Sequence, residues 1–467
     1  MNIIKIDVAV IGAGTAGMSA FRAAKAAGKE VVLVESGPYG TTCARVGCMP
    51  SKLLIAAAQA AHDARKAECF GVRVGTVKID GKAVMARVNQ ERNRFVGMAV
   101  DEVEALPASS KVKGDARFVS DNVLRVGDGT EIHATSIVIA TGAKSVIPDD
   151  FKVFKDRLLI SDDIFHWDDL PARVAVFGAG VIGIELGQAL HRLGVHVRMF
   201  GEEGRLAAFT DPAIVDSATK IFQDEFYLDT VAKVIEKRLE GQEAVVTYTS
   251  LGKREVTERF DYVLVAIGRA PNVKDLGLDR TSLKLDKKGM PLFDRRTMQA
   301  GSSSIFMAGD ASNDVPLLHE AADQGKIAGN NAAHFPTVVP GLRRTPLSVV
   351  FTDPALAMIG VPHKDLEPGT FVTGEISFED QGRSRIMLKN QGLMHVYADR
   401  STGRLVGAEF VGPAAEHIAH LLSWAVQQQL TLAQLLEMPV YHPVVEEGVR
   451  DALKDALAQL QGGVTIP

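Results

Sequence analysis

The chain has 467 residues, 46% of them apolar, with a formal net charge of −5 and both signs interspersed. At roughly 150 residues per domain this length predicts about three domains, and the charge balance leaves no basic footprint for nucleic acid or an anionic membrane. No apolar run approaches the roughly eighteen residues that a membrane-spanning helix needs. Three cysteines cannot frame a disulfide scaffold, so a cytoplasmic, reducing setting is expected, and a pair that does oxidise is expected to be catalytic. The first residues carry no basic segment, long apolar run and cleavage site, which argues against a secretory signal.

Residues 6–35, "IDVAVIGAGTAGMSAFRAAKAAGKEVVLVE", read as a buried strand, a glycine turn, an amphipathic helix, a glycine break and a second strand. In the GxGxxG of Gly12, Gly14 and Gly17, the first glycine permits the tight turn, the second lets backbone approach a pyrophosphate, and the third lets helix pack on strand. Glu35 ends the second strand, where a carboxylate can take the hydroxyls of an adenosine ribose.

Next comes "GTTCARVGCMPSK", residues 40–52, with four residues between Cys43 and Cys48. Zinc needs more ligands than this, and neither Cys69 nor His62 completes a pattern, so no metal is expected. Gly47 and Pro50 permit the bend a disulfide requires. So small a loop would stabilise little, which favours a reactive bond over a structural one. From spacing alone, two inert buried thiols remain an open alternative.

An Ala-rich charged stretch, 53–105, has helical periodicity and leads into short strands ending at "SIVIATGAKSVIP". Residues 172–201, "ARVAVFGAGVIGIELGQALHRLGVHVRMFG", repeat the first unit with Gly178, Gly180 and Gly183. Here Gly201 stands where the first copy has its acid; Glu202 and Glu203 follow, flanked by Arg198 and Arg205. A carboxylate there would repel a 2′-phosphate and an arginine would welcome it, so the reading leans to NAD with NADP kept open. Two such units call for two dinucleotides, and the expectation is a resident flavin and an exchangeable nicotinamide. Further strands end in "DYVLVAIGRAPN"; "SSSIFMAGDASND" and an Ala-rich helix follow. "FPTVVPGLRRTP", 335–346, reads as a linker, and 347–460 as a separate α+β domain.

Taken together, "GAGTAG", "GTTCARVGCMPSK", "IATGA", "GAGVIGIELG", "AIGRAPN", "MAGDAS" and "YHPVVEEG" resemble the flavin-dependent pyridine nucleotide–disulfide oxidoreductases, the family of dihydrolipoyl dehydrogenase, glutathione reductase and mercuric reductase. The resemblance runs nearly end to end. It implies an α/β fold with two Rossmann-like domains, for FAD and NAD(P), plus a C-terminal α+β dimerisation domain. The implied boundaries are 1–147 and 273–342 for the FAD-binding parts, 148–272 for NAD(P) and 347–467 for dimerisation.

By the same resemblance FAD would be held by Gly12, Gly14, Gly17, Glu35, Thr42, Ala140, Thr141, Gly142, Asp310 and the Leu317, Leu318, His319 segment. Lys52, paired with Glu185, would lie near the reactive flavin nitrogen. Gly178, Gly180, Gly183, Glu202, Gly268 and Arg269 would hold NAD. Cys43 and Cys48 would form the redox-active disulfide, with His442 as base and Glu447 as its orienter; a carboxylate fixing an imidazole raises its basicity. In the family this histidine serves the other subunit's disulfide, which implies a homodimer with shared active sites.

Dihydrolipoamide is the first-choice substrate by resemblance, free or as a lipoyl group on a carrier protein. The chain departs from the usual pattern at Val440 and Tyr441 before His442, at Ala44 and Arg45 between the cysteines, and at Ala355 in "FTDPALAMIG". Arg45 is expected to tune substrate choice toward an anionic disulfide. The alternatives are a flavin–nicotinamide transhydrogenase or quinone reductase, which would give the cysteines no role, and a non-enzymatic flavoprotein assembly subunit. Mercuric reductase is disfavoured because the C-terminal region lacks cysteine, and glutathione reductase because clear NADP-binding arginines are wanting.

Overall fold

A computed structural model describes residues 2–462. It divides into two compact units: residues 1–50, 87–146 and 269–343, and residues 51–86, 147–268 and 344–467. The last crossing falls inside the Pro-rich stretch read as a linker.

In the first unit, strand Asn2–Ile11 pairs in parallel with Val31–Glu35 and Thr130–Ile139. Lys111–Lys113 extends the sheet beyond Val31–Glu35, and Ile305–Met307 joins the far side of Thr130–Ile139. The antiparallel strands Val123–Val126 and Ala116–Ser120 complete it. Successive side chains point to opposite faces: Val8 and Val10 enter one core with Phe21 and Ile327, whereas Ala9 and Ile11 enter another with Phe118 and Met307. A strand covered on both faces must be apolar throughout, which is why "VAVI" shows no alternation.

Helix Thr15–Ala26 packs on helix Leu318–His334 within one of those cores. The approach is close because Gly325 and Gly329, one turn apart, have no side chain. A Cβ on them would lie 2.1 Å from the Ala16 carbonyl oxygen and 2.2 Å from that of Ala20.

The second unit contains the repeat. Arg173–Phe177, His196–Phe200, Tyr227–Asp229, Tyr262–Val265 and Leu158–Leu159 form a parallel sheet. The antiparallel meander Lys233–Glu240, Glu243–Ser250 and Arg254–Phe260 shares its aromatic core. The C-terminal part is an antiparallel five-stranded sheet in the order Leu347–Val350, Ala355–Gly360, Leu405–Gly412, Leu393–Asp399, Phe371–Ser377. Helices Ala415–Gln427 and Glu447–Leu460 pack on this sheet. The segregated strands and helices give the α+β layering that the sequence implied. Among the described residues no helix is long and apolar enough to cross a membrane.

Candidate active site

The first glycine turn is built as its sequence requires. Gly12 has φ +109°, and a Cβ there would lie 2.3 Å from the Ala140 carbonyl oxygen; one on Gly17 would lie 1.8 Å from that of Gly12. Gly14 faces open space, with nothing within 4 Å of its would-be Cβ. It is also the N-cap of helix Thr15–Ala26 and brings no capping side chain. Open space over a helix N-terminus suits a diphosphate, which the amide N–H groups attract. Glu35 accepts hydrogen bonds from Ala13 N at 2.7 Å and Gly37 N at 2.7 Å, which fix its carboxylate beside the turn.

The Ala140–Gly142 turn is stitched to a residue that sequence reading left unassigned. Asn272 Nδ2 donates to the Thr141 carbonyl at 3.1 Å, Thr141 Oγ1 donates to that of Asn272 at 2.8 Å, and Asn272 N donates to that of Gly142 at 2.9 Å. Arg269, which precedes it in "RAPN", donates to the Ala143 carbonyl at 2.6 Å. Its charge bears on Asp310; Arg269 falls in the first unit and Gly268, at φ +136°, in the second.

Asp310 lies in the turn Gly309–Ser312. Burial pushes its carboxyl above the usual range, against the pull of Arg269, and among the described residues no side chain donates to it. A half-buried acceptor of this kind suits a hydroxylated ligand. Buried Gln324 fixes the turn by accepting from Gly309 N at 2.8 Å. Leu317 caps helix Leu318–His334, leaving Leu318 and His319 exposed at its start. The cradle therefore fits a flavin dinucleotide.

Thr41, at φ 54°, caps the short helix Thr42–Val46 by accepting from Ala44 N at 3.2 Å. Gly47 folds the chain back: a Cβ there would stand 3.0 Å from the Thr42 carbonyl oxygen and 3.1 Å from Cys43 Cα. Cys48 opens the long helix Cys48–Lys66. The pair is present as two thiols, Cys43 half-buried and Cys48 exposed. The Cys43 thiol is pushed well up by its hydrogen bond with Cys48, by burial and by negative charge at Cys48; backbone N–H groups of Cys48 and Met49 oppose the shift only in part.

The stem of Arg45 lies against Gly40, beside Val96 and Val100, and its guanidinium donates to the Tyr39 carbonyl at 3.4 Å. Among the described residues no carboxylate pairs with it. Arg92, one helical turn before Val96, is pulled below the usual arginine range by burial and then by the positive charge of Arg45.

In the second unit the glycine turn repeats. Gly178 has φ +108°, a Cβ on Gly183 would lie 1.9 Å from the Gly178 carbonyl oxygen, and Gly180 meets nothing closer than 3.9 Å. At Gly201 a Cβ would press on Ala179 at 3.0 Å and Thr230 at 3.1 Å, so an acid at the strand end would have to push these neighbours aside. Glu202 is exposed just beyond it. Arg198 is committed to Glu258 at 3.0 Å and to the face of Tyr227, whereas Arg205 pairs with Glu203 at 2.5 Å on the exposed surface. This turn fits a second dinucleotide.

The same unit holds an ion pair between Lys52 Nζ and the buried Glu185 Oε2 at 2.6 Å, with Lys52 4.7 Å above the Phe351 ring. His442 Nδ1 lies 3.0 Å from Glu447 Oε1, and the histidine side chain is 81% exposed. Its hydrogen bond with His442 holds the Glu447 carboxyl below the usual range, with help from Val444 N. Val440 is half-buried and Tyr441 strongly exposed; Ala355 opens its strand. No cluster of three or more His, Cys, Asp or Glu suited to a metal occurs among the described residues.

Two strand–glycine–helix cradles make this a protein built for two dinucleotides. Residues 6–325 match the pyridine nucleotide-disulphide oxidoreductase family, and residues 347–453 match that family's dimerisation domain. The chain is similar to dihydrolipoyl dehydrogenase of Geobacillus stearothermophilus, 30% identical with 97% of each chain covered. It is also similar to mercuric reductase of Staphylococcus aureus, 29% identical over 95% of this chain and 81% of the relative. Among solved structures, LpdA from Mycobacterium tuberculosis superposes with a TM-score of 0.81 at 25% identity, covering 97% of this chain and 99% of the other. The HOCl-induced flavoprotein disulfide reductase RclA from Escherichia coli does so at 0.80 and 21%, with the same coverage, a likeness of fold alone. The chain belongs to the pyridine nucleotide-disulphide oxidoreductases, enzymes that depend on FAD and NAD(P).

Proposed function

We propose that this enzyme oxidises a dihydrolipoyl dithiol at the expense of NAD, with Cys43 and Cys48 as the redox pair. The carrying observation is the cysteine turn itself: two thiols in mutual hydrogen bond, one half-buried and one at a helix start, directly after a flavin-type cradle. In this reading His442, oriented by Glu447, takes the proton of a substrate thiol. The substrate sulfur attacks Cys43 of the oxidised pair and Cys48 leaves as thiolate; the second substrate thiol then attacks the mixed disulfide, releasing Cys43 and the oxidised product. FAD, when bound, supplies the two-electron link from the thiol pair to the nicotinamide.

The first cradle, with Glu35, Thr42, Ala140–Gly142, Asp310 and Leu317–His319, would hold FAD, and Lys52 with Glu185 would set the charge beside its ring. The second, with Glu202 and Gly268, would hold NAD; Arg269 would stand toward the flavin side. The engagement of Arg198 by Glu258 supports NAD over NADP. The exposure of His442 supports a homodimer in which the partner's His442 serves this chain's cysteines.

Arg45, without a carboxylate partner among the described residues and with Arg92 nearby, favours a second reading in which the substrate is an anionic disulfide. A steady-state panel of dihydrolipoamide, oxidised glutathione and small disulfides against both nicotinamides separates the two. Arg45→Asn that leaves the relative rates on charged and neutral disulfides unchanged sinks the second. For either, an anaerobic titration should take up four electrons per flavin, with a long-wavelength thiolate-to-flavin band at the halfway stage. Uptake of two electrons without that band sinks the disulfide mechanism.

A further inference from the structure

The helix Val181–Arg192 carries three buried polar side chains on one face, Glu185, Gln188 and Arg192, at the i, i+3, i+7 spacing. All three hold the same short segment, Phe351–Asp353, which links strand Leu347–Val350 to strand Ala355–Gly360. At one end Phe351 N donates to Glu185 Oε1 at 2.9 Å, while the other carboxylate oxygen holds Lys52. At the other end Gln188 grips the Asp353 backbone twice, accepting from its N at 2.9 Å and donating to its carbonyl at 2.8 Å. Arg192 donates to the same carbonyl at 2.9 Å and to the Asp353 carboxylate at 3.1 Å, and is itself anchored on Glu225 at 2.5 Å. Glu185 and Arg192 also line one cavity with Gln188, Phe351 and Asp353.

A buried carboxylate keeps one orientation only while its hydrogen-bond partners stay in place. The Lys52 ammonium takes one oxygen of Glu185, so the angle of the carboxylate depends on where Phe351 N stands. That position is set two residues away, at Asp353. We infer that Arg192 and Gln188 are positioning residues for the Lys52–Glu185 pair, acting through the Phe351–Asp353 segment. The inference rests on the proposed reading of that pair as the charge beside the flavin. It also makes a segment of the dimerisation domain a structural part of the pair's setting.

The test measures the flavin midpoint potential of the holoenzyme anaerobically for the wild type, Glu185→Gln, Arg192→Met, Arg192→Lys and Gln188→Leu, with FAD content and thermal midpoint on the same samples. Removing the Glu185 charge leaves Lys52 unopposed and should make the flavin easier to reduce. Arg192→Met and Gln188→Leu should move the potential in the same direction, changing the reduced-to-oxidised ratio at a fixed applied potential about threefold, and Arg192→Lys should move it less. Wild-type potentials in Arg192→Met and Gln188→Leu, with Glu185→Gln shifted, overturn the inference and leave the reading of the pair standing. An unshifted Glu185→Gln overturns that reading and the inference with it. If Arg192→Met does not fold, Gln188→Leu decides alone, because it removes no charge.

Discussion

The two helices that follow the glycine turns, Thr15–Ala26 and Val181–Arg192, read as near repeats, yet each is secured by a different kind of contact. The first meets its neighbouring helix through glycine against backbone, Gly325 on Ala16 and Gly329 on Ala20. The second presents buried Glu185, Gln188 and Arg192 to half-buried polar partners. A contact made of missing side chains is insensitive to pH and salt and intolerant of added volume. A contact made of paired charges tolerates small changes of shape and fails when one partner is neutralised.

The largest effect that distinguishes them is steric. Gly325→Leu puts a branched side chain where a Cβ alone would lie 2.1 Å from the Ala16 carbonyl oxygen. It should cost about 4 kcal/mol or more, since the helix backbones themselves must separate. The expected outcome is little folded protein and loss of bound FAD, read from the flavin absorbance per chain. A Gly325→Leu protein that purifies with full FAD would mean the two helices pack differently.

Neutralising a partner of the second helix comes next. Glu225→Gln keeps the shape but removes the charge facing buried Arg192, whose Nε lies 2.5 Å from Glu225 Oε1. Asp353 still pairs with Arg192 at 3.1 Å, so the loss should be about 2 kcal/mol, below the cost of a fully orphaned charge. Urea unfolding checks it, and the contrast with Gly325→Leu sharpens if the Glu225→Gln protein keeps its FAD.

The glycine turns were legible in the sequence and the contacts that secure the two helices were not, and the reason is range. The glycine turns announce themselves because positive φ at Gly12 and Gly178, and backbone contact at Gly17 and Gly183, are demands met within a few residues. The α/β class and the α+β end follow from the same local patterns. The partners of Arg192 are 33 and 161 residues away in the chain, and Lys52 is 133 from Glu185. Without a fold or a resemblance these are ordinary solvated charges. Asn272 lay inside the quoted "AIGRAPN", but nothing in its spacing says that it ties down Thr141 and Gly142. Gly47 was legible as flexibility; its close contact with Cys43, which turns the chain back, needed the structure.

A smaller effect separates the acids that close the two cradles. Glu35 is held by two backbone N–H groups, whereas Glu202 is exposed beyond a tightly packed glycine. Glu35→Gln should weaken FAD binding about tenfold through loss of charge-assisted hydrogen bonds. Glu202→Gln should raise the KM for NAD about twofold and leave FAD content unchanged, as expected of a solvated contact. Fluorescence titration of released flavin and steady-state kinetics measure the two, and equal effects on both cofactors would erase the contrast.

The last difference is pH. Helix Pro212–Glu225, which carries the Glu225 partner of Arg192, is capped by Asp211. Asp211 Oδ2 lies 2.6 Å from His395 Nδ1 and accepts from Tyr397 OH at 2.7 Å; His395 Nε2 lies 2.8 Å from Glu375. Buried Glu409 accepts from Thr210 N, Asp211 N and His363 N, and the His363 ring lies against that of Tyr397. Burial pushes the Asp211 carboxyl up, but the hydrogen bonds from His395 and Tyr397 outweigh it and hold it down to about 2. Burial pulls His395 down, and its bonds to Asp211 and Glu375 outweigh that and raise it. A histidine raised in the folded state contributes stability that is fully present below its unfolded value of about 6.5 and is lost as pH climbs through the folded value. A depressed aspartate contributes stability present above about 3.9 and lost as pH falls toward the folded value. The second unit should therefore lose stability on both sides of a slightly acidic optimum. Between pH 6 and 9 its thermal midpoint should fall in the wild type and stay flatter in His395→Asn, in which the group that titrates is gone. An equal fall in both proteins would place the pH sensitivity elsewhere than this contact, and with it the claim that charge, not shape, secures the second helix's surroundings.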